Sequence, residues 1–136
     1  MNEHKFNGKA RLYAAYRPSY ASGLIDDLVE GLPKGAKVAD IGSGTGKLTE
    51  LLLARGMNVF AVEPNDDMRA AAEEAFGANA LFCSVPASAE RTTLPDGKTE
   101  LVTAAQAFHW FDRDAFRKEC HRILVPGGEV ALIWNG

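Results

Sequence analysis

Short apolar runs without polar alternation recur along the chain, at Lys37–Ile41, Asn58–Val62, Ala80–Ser84, Leu101–Ala105 and Val130–Trp134. Runs of this kind, rich in Val, Ile, Leu and Phe and bounded by Gly, Pro and Asn, predict strands covered on both faces, hence a parallel sheet. Between them the apolar positions follow a helical period: Leu24, Ile25, Leu28, Val29 and Leu32; Leu48, Leu51 and Leu52; Met68, Ala71, Ala72 and Ala75; Phe116, Cys120, Ile123 and Leu124. Strand and helix alternate, so the expected class is α/β, a doubly wound sheet with right-handed crossovers. Asn65 and Asp112 stand where helix N-caps are wanted. Gly56 and Gly77 stand where left-handed C-terminal residues are wanted, and Pro126-Gly127-Gly128 is expected to stop the last helix before the last strand. In such a sheet ligands collect beyond the carboxyl ends of the strands, at the point where strand order reverses. The chemistry is therefore expected just after Ile41, Val62, Ser84 and Ala105.

Composition narrows the class of partner. The 136 residues carry 15 Lys+Arg against 18 Asp+Glu, and 46% are hydrophobic. This fits one globular domain, residues 1–136, burying roughly 68% of its unfolded surface. Charge is balanced along the chain, 8 basic against 9 acidic residues up to Met68 and 7 against 9 beyond it. No basic face points to nucleic acid or to a membrane surface. The N-terminal stretch is broken by Glu3, Lys5, Lys9 and Arg11, and no apolar run approaches the ~18 residues of a membrane span. A cytoplasmic protein is expected. Cys83 and Cys120 lack metal-ligand spacing and are expected as buried thiols.

The densest local signal is Val38-Ala39-Asp40-Ile41-Gly42-Ser43-Gly44-Thr45-Gly46-Lys47-Leu48, a strand leading through a glycine loop into a helix. Alternate glycines let backbone approach a ligand closely, because no Cβ intervenes. A phosphate-binding P-loop is excluded, since it needs Gly where Ile41 stands and Ser or Thr where Leu48 stands. The dinucleotide pattern would need its third glycine at Lys47, which weakens an NAD reading without removing it. Asp40 is an acid in an apolar strand and needs a partner there, either a ligand cation or its own glycine loop.

This stretch resembles the first motif of the class I S-adenosylmethionine-dependent methyltransferases, and the resemblance extends from about Tyr13 to Trp134. Val62-Glu63-Pro64-Asn65-Asp66-Asp67-Met68 is similar to the family's second motif, whose acid binds both ribose hydroxyls. Ala87-Ser88-Ala89-Glu90 is similar to the adenine-binding loop, and Thr103 to Phe111 stands at the fourth-strand motif. Ile123 to Glu129 resembles the turn into strand five. Within the family the likeness is to a small-molecule branch that includes aconitate-type carboxyl methyltransferases.

The resemblance implies a Rossmann-like sheet of methyltransferase type, S-adenosyl-L-methionine as cofactor and S-adenosyl-L-homocysteine as product. It places Asp40 at the methionine ammonium, and Gly42, Ser43, Gly44 and Gly46 at the methionine portion. Glu63 and Pro64 fall at the ribose end, and Ser88 with the Ala89 amide at adenine. Met68 either packs against adenine or belongs to the core. Gln106, Phe108, His109, Trp110 and Phe111 fall beside the sulfonium, where aromatic faces would stabilise positive charge; for Phe108 and Phe111 helix packing is the preferred reading. His109 is the candidate base if the acceptor is an amine or alcohol, whereas a carboxylate or phenolate needs none. Residues 1–20 resemble a segment covering the cofactor, with Arg17 facing the methionine carboxylate.

The chain stops at Gly136, where family members normally continue through an antiparallel hairpin. That hairpin is therefore expected to be absent and the acceptor half incomplete. Val130–Trp134 is expected as an uncapped edge through which copies of the chain self-associate. A non-catalytic cofactor-binding module and an NAD-type oxidoreductase domain remain as alternatives.

Overall fold

The computed structural model describes residues 2–6, 10–16, 22–105 and 111–134, with side chains described over 23–105 and 111–133. The elements run β1 (Asn2–Phe6), β2 (Ala10–Tyr16), α1 (Ser22–Val29), β3 (Lys37–Ile41), α2 (Lys47–Ala54), β4 (Asn58–Val62), α3 (Asp66–Phe76), β5 (Phe82–Val85), β6 (Thr99–Ala105), α4 (Arg113–Ile123) and β7 (Leu124–Trp134). They form one sheet in the order β1-β2-β7-β6-β3-β4-β5. The five strands from β7 to β5 are mutually parallel, and helices cover both faces, as the unalternating apolar runs predict. The chain leaves β3 toward β4 and β5, then returns across the sheet to β6 and β7, so strand order reverses beside β3.

Side chains alternate between two cores. Val38, Val59, Leu101 and Ile133 meet Leu24, Ile25 and Leu28 of α1 and Leu48 and Leu52 of α2. Ala39, Ile41, Val102 and Val130 meet Phe116, Cys120 and Ile123 of α4 on the opposite face. Period-two alternation puts Asp40 and Thr103 on the first face, toward α2, with the apolar residues two places before them. The segment after β5 is tied to α4: Glu119 accepts from the N–H and hydroxyl of Thr92, at 2.8 and 2.6 Å, and pairs with Arg122 at 2.6 Å. Asn65 and Asp112 cap α3 and α4 as expected, their side chains accepting from the N–H groups of Met68 and Ala115.

Several expectations are corrected. Val130–Trp134 is no free edge: β2 pairs with β7 in parallel, Leu12 opposite Val130 and Tyr16 opposite Trp134. Self-association through that strand loses its premise, because the N-terminal strands take its hydrogen bonds. Residues 2–6 and 10–16, within the segment expected to cover the cofactor, form two strands at this side of the sheet. The last helix ends at Ile123, and Pro126-Gly127-Gly128 falls inside β7. There the register jumps from Thr99 opposite Leu124 to Leu101 opposite Glu129. Gly77 is right-handed at φ −57°, not left-handed. Cys83 is exposed, since β5 is the last strand of the sheet, whereas Cys120 is buried and burial pushes its thiol well above the ordinary range. Among the described residues no helix is long and apolar enough to cross a membrane.

Candidate active site

The carboxyl ends of β3, β4 and β6 open onto one crevice of about 530 Å³, a size suited to a small-molecule ligand. Asp40 and the loop Gly42-Ser43-Gly44-Thr45 form its floor, with Lys47 and Leu48 at the start of α2. Glu63, Pro64, Asn65 and Met68 form the β4 side, and Ala105 and Phe111 the β6 side. Phe111 also packs against Phe116 of α4, with ring centroids 4.9 Å apart, so the packing reading and a place in the wall hold together.

Asp40 is only 1% exposed. Its Oδ2 accepts from the Thr49 hydroxyl at 2.7 Å and its Oδ1 from the Thr103 hydroxyl at 3.0 Å. Burial pushes its carboxyl up, the two hydroxyl bonds hold it down, and the negative Glu63 adds a smaller upward push; the result is about 6. The glycine loop is held by another acid. Glu63 Oε1 accepts the Gly44 N–H at 2.7 Å and Oε2 the Asn65 N–H at 2.9 Å.

Three more loop amides are bonded within the fold. The N–H groups of Gly42 and Ser43 both donate to the Val62 carbonyl, at 2.8 and 3.2 Å, and Gly46 N–H donates to the Ser43 carbonyl at 3.0 Å. A phosphate cradle aims its amides at the ligand. Here they are used within the fold, and Asp40 and Glu63 line the same space. The arrangement therefore suits a ligand bearing positive charge and disfavours a pyrophosphate. The Ser43 hydroxyl oxygen is buried and finds no partner among the described residues, leaving an unsatisfied polar atom in the crevice wall.

The structure brings Asp40, Gly42, Ser43, Gly44, Glu63, Pro64 and Met68 together in one place. Met68 is 46% exposed, so its core alternative fails. Gly46, Ser88 and Ala89 are not in the lining. Gly46 instead begins α2 with φ +99°, and a Cβ there would stand 2.5 Å from Phe76 Cε2. Ser88 accepts from the Arg91 N–H, and Ala89 is buried in the α4-side core. Arg17, Gln106, Phe108, His109 and Trp110 lie outside the residues whose side chains are described. Sequence reasoning missed Lys47, Asn65, Thr49 and Thr103. For the two threonines the sequence carries no direct signal, since their tie to Asp40 spans 9 and 63 residues of chain.

The family described as a methyltransferase domain matches residues 39–132. An uncharacterized methyltransferase of Mycobacterium tuberculosis is 38% identical over 131 residues, covering 96% of this chain and 51% of the relative. A structure from Anaeromyxobacter dehalogenans, assigned without proof as a type II methyltransferase, is 34% identical with a TM-score of 0.70. The likeness covers 84% of this chain and 47% of that one. Phosphoethanolamine N-methyltransferase 2 of Haemonchus contortus, solved with S-adenosyl-L-methionine, shares the fold at 22% identity and a TM-score of 0.72, over 79% of this chain and 26% of its own. The chain spans about half the length of the curated relatives it matches. The match over Ala39–Leu132 replaces the NAD alternative, and the chain belongs to the methyltransferase domain family.

Proposed function

We propose that the chain binds S-adenosyl-L-methionine in the β3–β4 crevice and takes part in methyl transfer to a small-molecule acceptor. The observation that carries this reading is the pair of carboxylates, Asp40 and Glu63, flanking a glycine loop whose Gly42, Ser43, Gly44 and Gly46 amides are bonded within the fold. When bound, the cofactor supplies an electrophilic methyl on a sulfonium. Asp40 would hold its ammonium, and the unsatisfied Ser43 hydroxyl and the backbone of Gly42 and Gly44 would line its amino-acid portion. Each Glu63 oxygen keeps a lone pair beyond its bond to Gly44 or Asn65, so Glu63 would also accept from the ribose hydroxyls. Pro64 and Met68 would border the nucleoside.

Arg17, Gln106 and His109 keep the roles that the motif resemblance implies: Arg17 at the carboxylate, Gln106 beside the sulfonium, and His109 as base for an amine or alcohol acceptor. A carboxylate acceptor rests on the motif resemblance alone and would need no base. The chain's contribution to rate is then chiefly alignment, for which well-oriented reactants gain on the order of 7–11 kcal/mol. A single domain over residues 1–136 and a cytoplasmic setting complete the reading.

Thermal shift with S-adenosylhomocysteine and with NADH tests it. A hundredfold excess of the former over its dissociation constant should add about 2.7 kcal/mol of stability, with no response to NADH. Indifference to S-adenosylhomocysteine would reject the reading. Binding without methyl transfer to any acceptor in a panel of carboxylates, phenols, amines and alcohols would leave a cofactor-binding module.

A further inference from the structure

We propose that Thr49 and Thr103 are positioning residues which together hold the Asp40 carboxylate ready for a ligand ammonium. The inference rests on the reading of Asp40 given above and extends it to two residues whose part in the site that reading leaves unassigned.

Two elements converge on Asp40. Thr103 is its register partner on β6, and Thr49 reaches it from α2. All three residues are at most 1% exposed. The two hydroxyls donate to different oxygens, at 2.7 Å to Oδ2 and 3.0 Å to Oδ1. An ionised carboxylate accepts both at once, whereas a protonated one turns one oxygen into a donor, and the hydroxyl facing it must rotate to accept instead. The pair therefore selects the charged form of Asp40 and fixes the plane of its carboxylate. Thr49 has another acceptor available in principle, the carbonyl one turn back at Thr45, as helical threonines do. It bonds across to β3 instead.

The charged and titratable groups near Asp40 among the described residues are few. Glu63, from the end of β4, opposes its ionisation, and Lys47 of α2 lies in the same crevice lining. The hydroxyls of Thr49 and Thr103 are the groups that oppose the effect of burial. Removing either should move Asp40's titration up from about 6, into the neutral range where a ligand ammonium would then meet an uncharged acid.

The test compares the whole chain with Thr49→Val, Thr103→Val and the hydroxyl-keeping Thr49→Ser. Each is checked for folding by circular dichroism and titrated between pH 5.5 and 8.5. The Asp40 carboxyl carbon, followed by NMR without ligand, should show its midpoint raised by about one unit in each Val variant and restored in Thr49→Ser. By calorimetry, S-adenosylhomocysteine should bind the Val variants about threefold more weakly at pH 6.5, with the deficit closing toward pH 8.5. 5′-Methylthioadenosine, which lacks the amino-acid portion, should be indifferent. An unmoved Asp40 midpoint, or equal weakening for both ligands at every pH, would overturn the assignment even where the unaltered chain binds. Failure of the unaltered chain to bind S-adenosylhomocysteine would instead reject the underlying reading. Should a Val variant not fold, Thr49→Ala or Thr103→Ala, which also removes the hydroxyl, takes its place with the same expected rise of the Asp40 midpoint, and an unmoved midpoint there overturns the assignment.

Discussion

Gly44 donates its backbone N–H to Glu63 Oε1 across 2.7 Å, so the residue closing one strand fixes the loop that follows its neighbour. The same carboxylate takes the Asn65 N–H through its other oxygen at 2.9 Å. Glu63 thus has a structural task independent of any ligand. Glu63→Ala should lower the free energy of unfolding by about 1–2 kcal/mol, the cost of leaving two partly buried amides unpaired, and should remove most of the thermal shift with S-adenosylhomocysteine. Glu63→Gln keeps the shape but turns an NH₂ group toward one of the two amides. It should show a smaller stability loss with a comparable binding loss. Urea unfolding and calorimetry read the two effects separately, and unchanged stability in both variants would remove the structural task.

Asp40 predicts a trade between stability and binding. Its carboxyl titrates at about 6 in the fold against an ordinary 3.8, so the folded chain holds this proton more tightly than the unfolded one. Stability is therefore favoured at low pH and falls as pH rises from about 4 to about 6, by an amount on the order of 3 kcal/mol for this group. Asp40→Asn removes that dependence. The unfolding free energy of the variant should gain on the unaltered chain as pH rises through this window and stay level above it, while S-adenosylhomocysteine binding is lost. A constant difference between the two proteins from pH 4 to 8 would contradict the burial argument.

The sheet and the crevice were legible for a common reason. Strands covered on both faces leave unbroken apolar runs, and the boundaries Lys37–Ile41 and Asn58–Val62 coincide with β3 and β4. The end of that sheet places Asp40 and Glu63 side by side without further information. What the pattern hides is pairing across the sheet. The strands Asn2–Phe6 and Ala10–Tyr16 carry a mixed sequence, and their role comes from the β7 backbone they meet. The break at Pro126-Gly127-Gly128 reads as a stop, whereas backbone on both sides of it pairs with β6 and turns it into an irregularity. Thr49 and Thr103 were passed over because a hydroxyl has no pattern of its own; it matters through Asp40, 9 and 63 residues away along the chain. Gly46 was placed at a ligand because its spacing belongs to the loop, although its neighbour in space is Phe76.

That contact makes a prediction. Gly46 has φ +99°, and a Cβ on it would stand 2.5 Å from Phe76 Cε2. Gly46→Ala should cost on the order of 2–4 kcal/mol, backbone strain and ring displacement together. Phe76→Leu in the Gly46→Ala background should recover the steric part alone. Because Gly46 is absent from the crevice lining, the ligand affinity of whatever folded protein remains should change little. A large affinity loss with normal stability would return Gly46 to the ligand.

Glu119 predicts the response to acid. Burial pulls its carboxyl upward, but the Arg122 guanidinium and the hydroxyl and N–H of Thr92 outweigh it and hold Glu119 at about 2 against an ordinary 4.5. The unfolded chain therefore takes up this proton first as pH falls. The stabilisation is fully present above about 4.5 and is lost as pH drops toward 2. Arg122 is half open to water and also meets Asp96 at 2.6 Å; after screening, the contribution is on the order of 2 kcal/mol. Glu119→Gln should be less stable at pH 7, because the Arg122 pairing is gone and the Gln NH₂ group cannot accept from Thr92. The gap should then narrow between pH 4.5 and 2 as the unaltered chain loses its advantage. Thr92 lies in the segment joining β5 to β6, so amide hydrogen exchange in that segment should quicken in the variant while β3 and β4 keep their protection. Equal exchange throughout, or a gap that widens in acid, would show that this link does not hold the segment to α4.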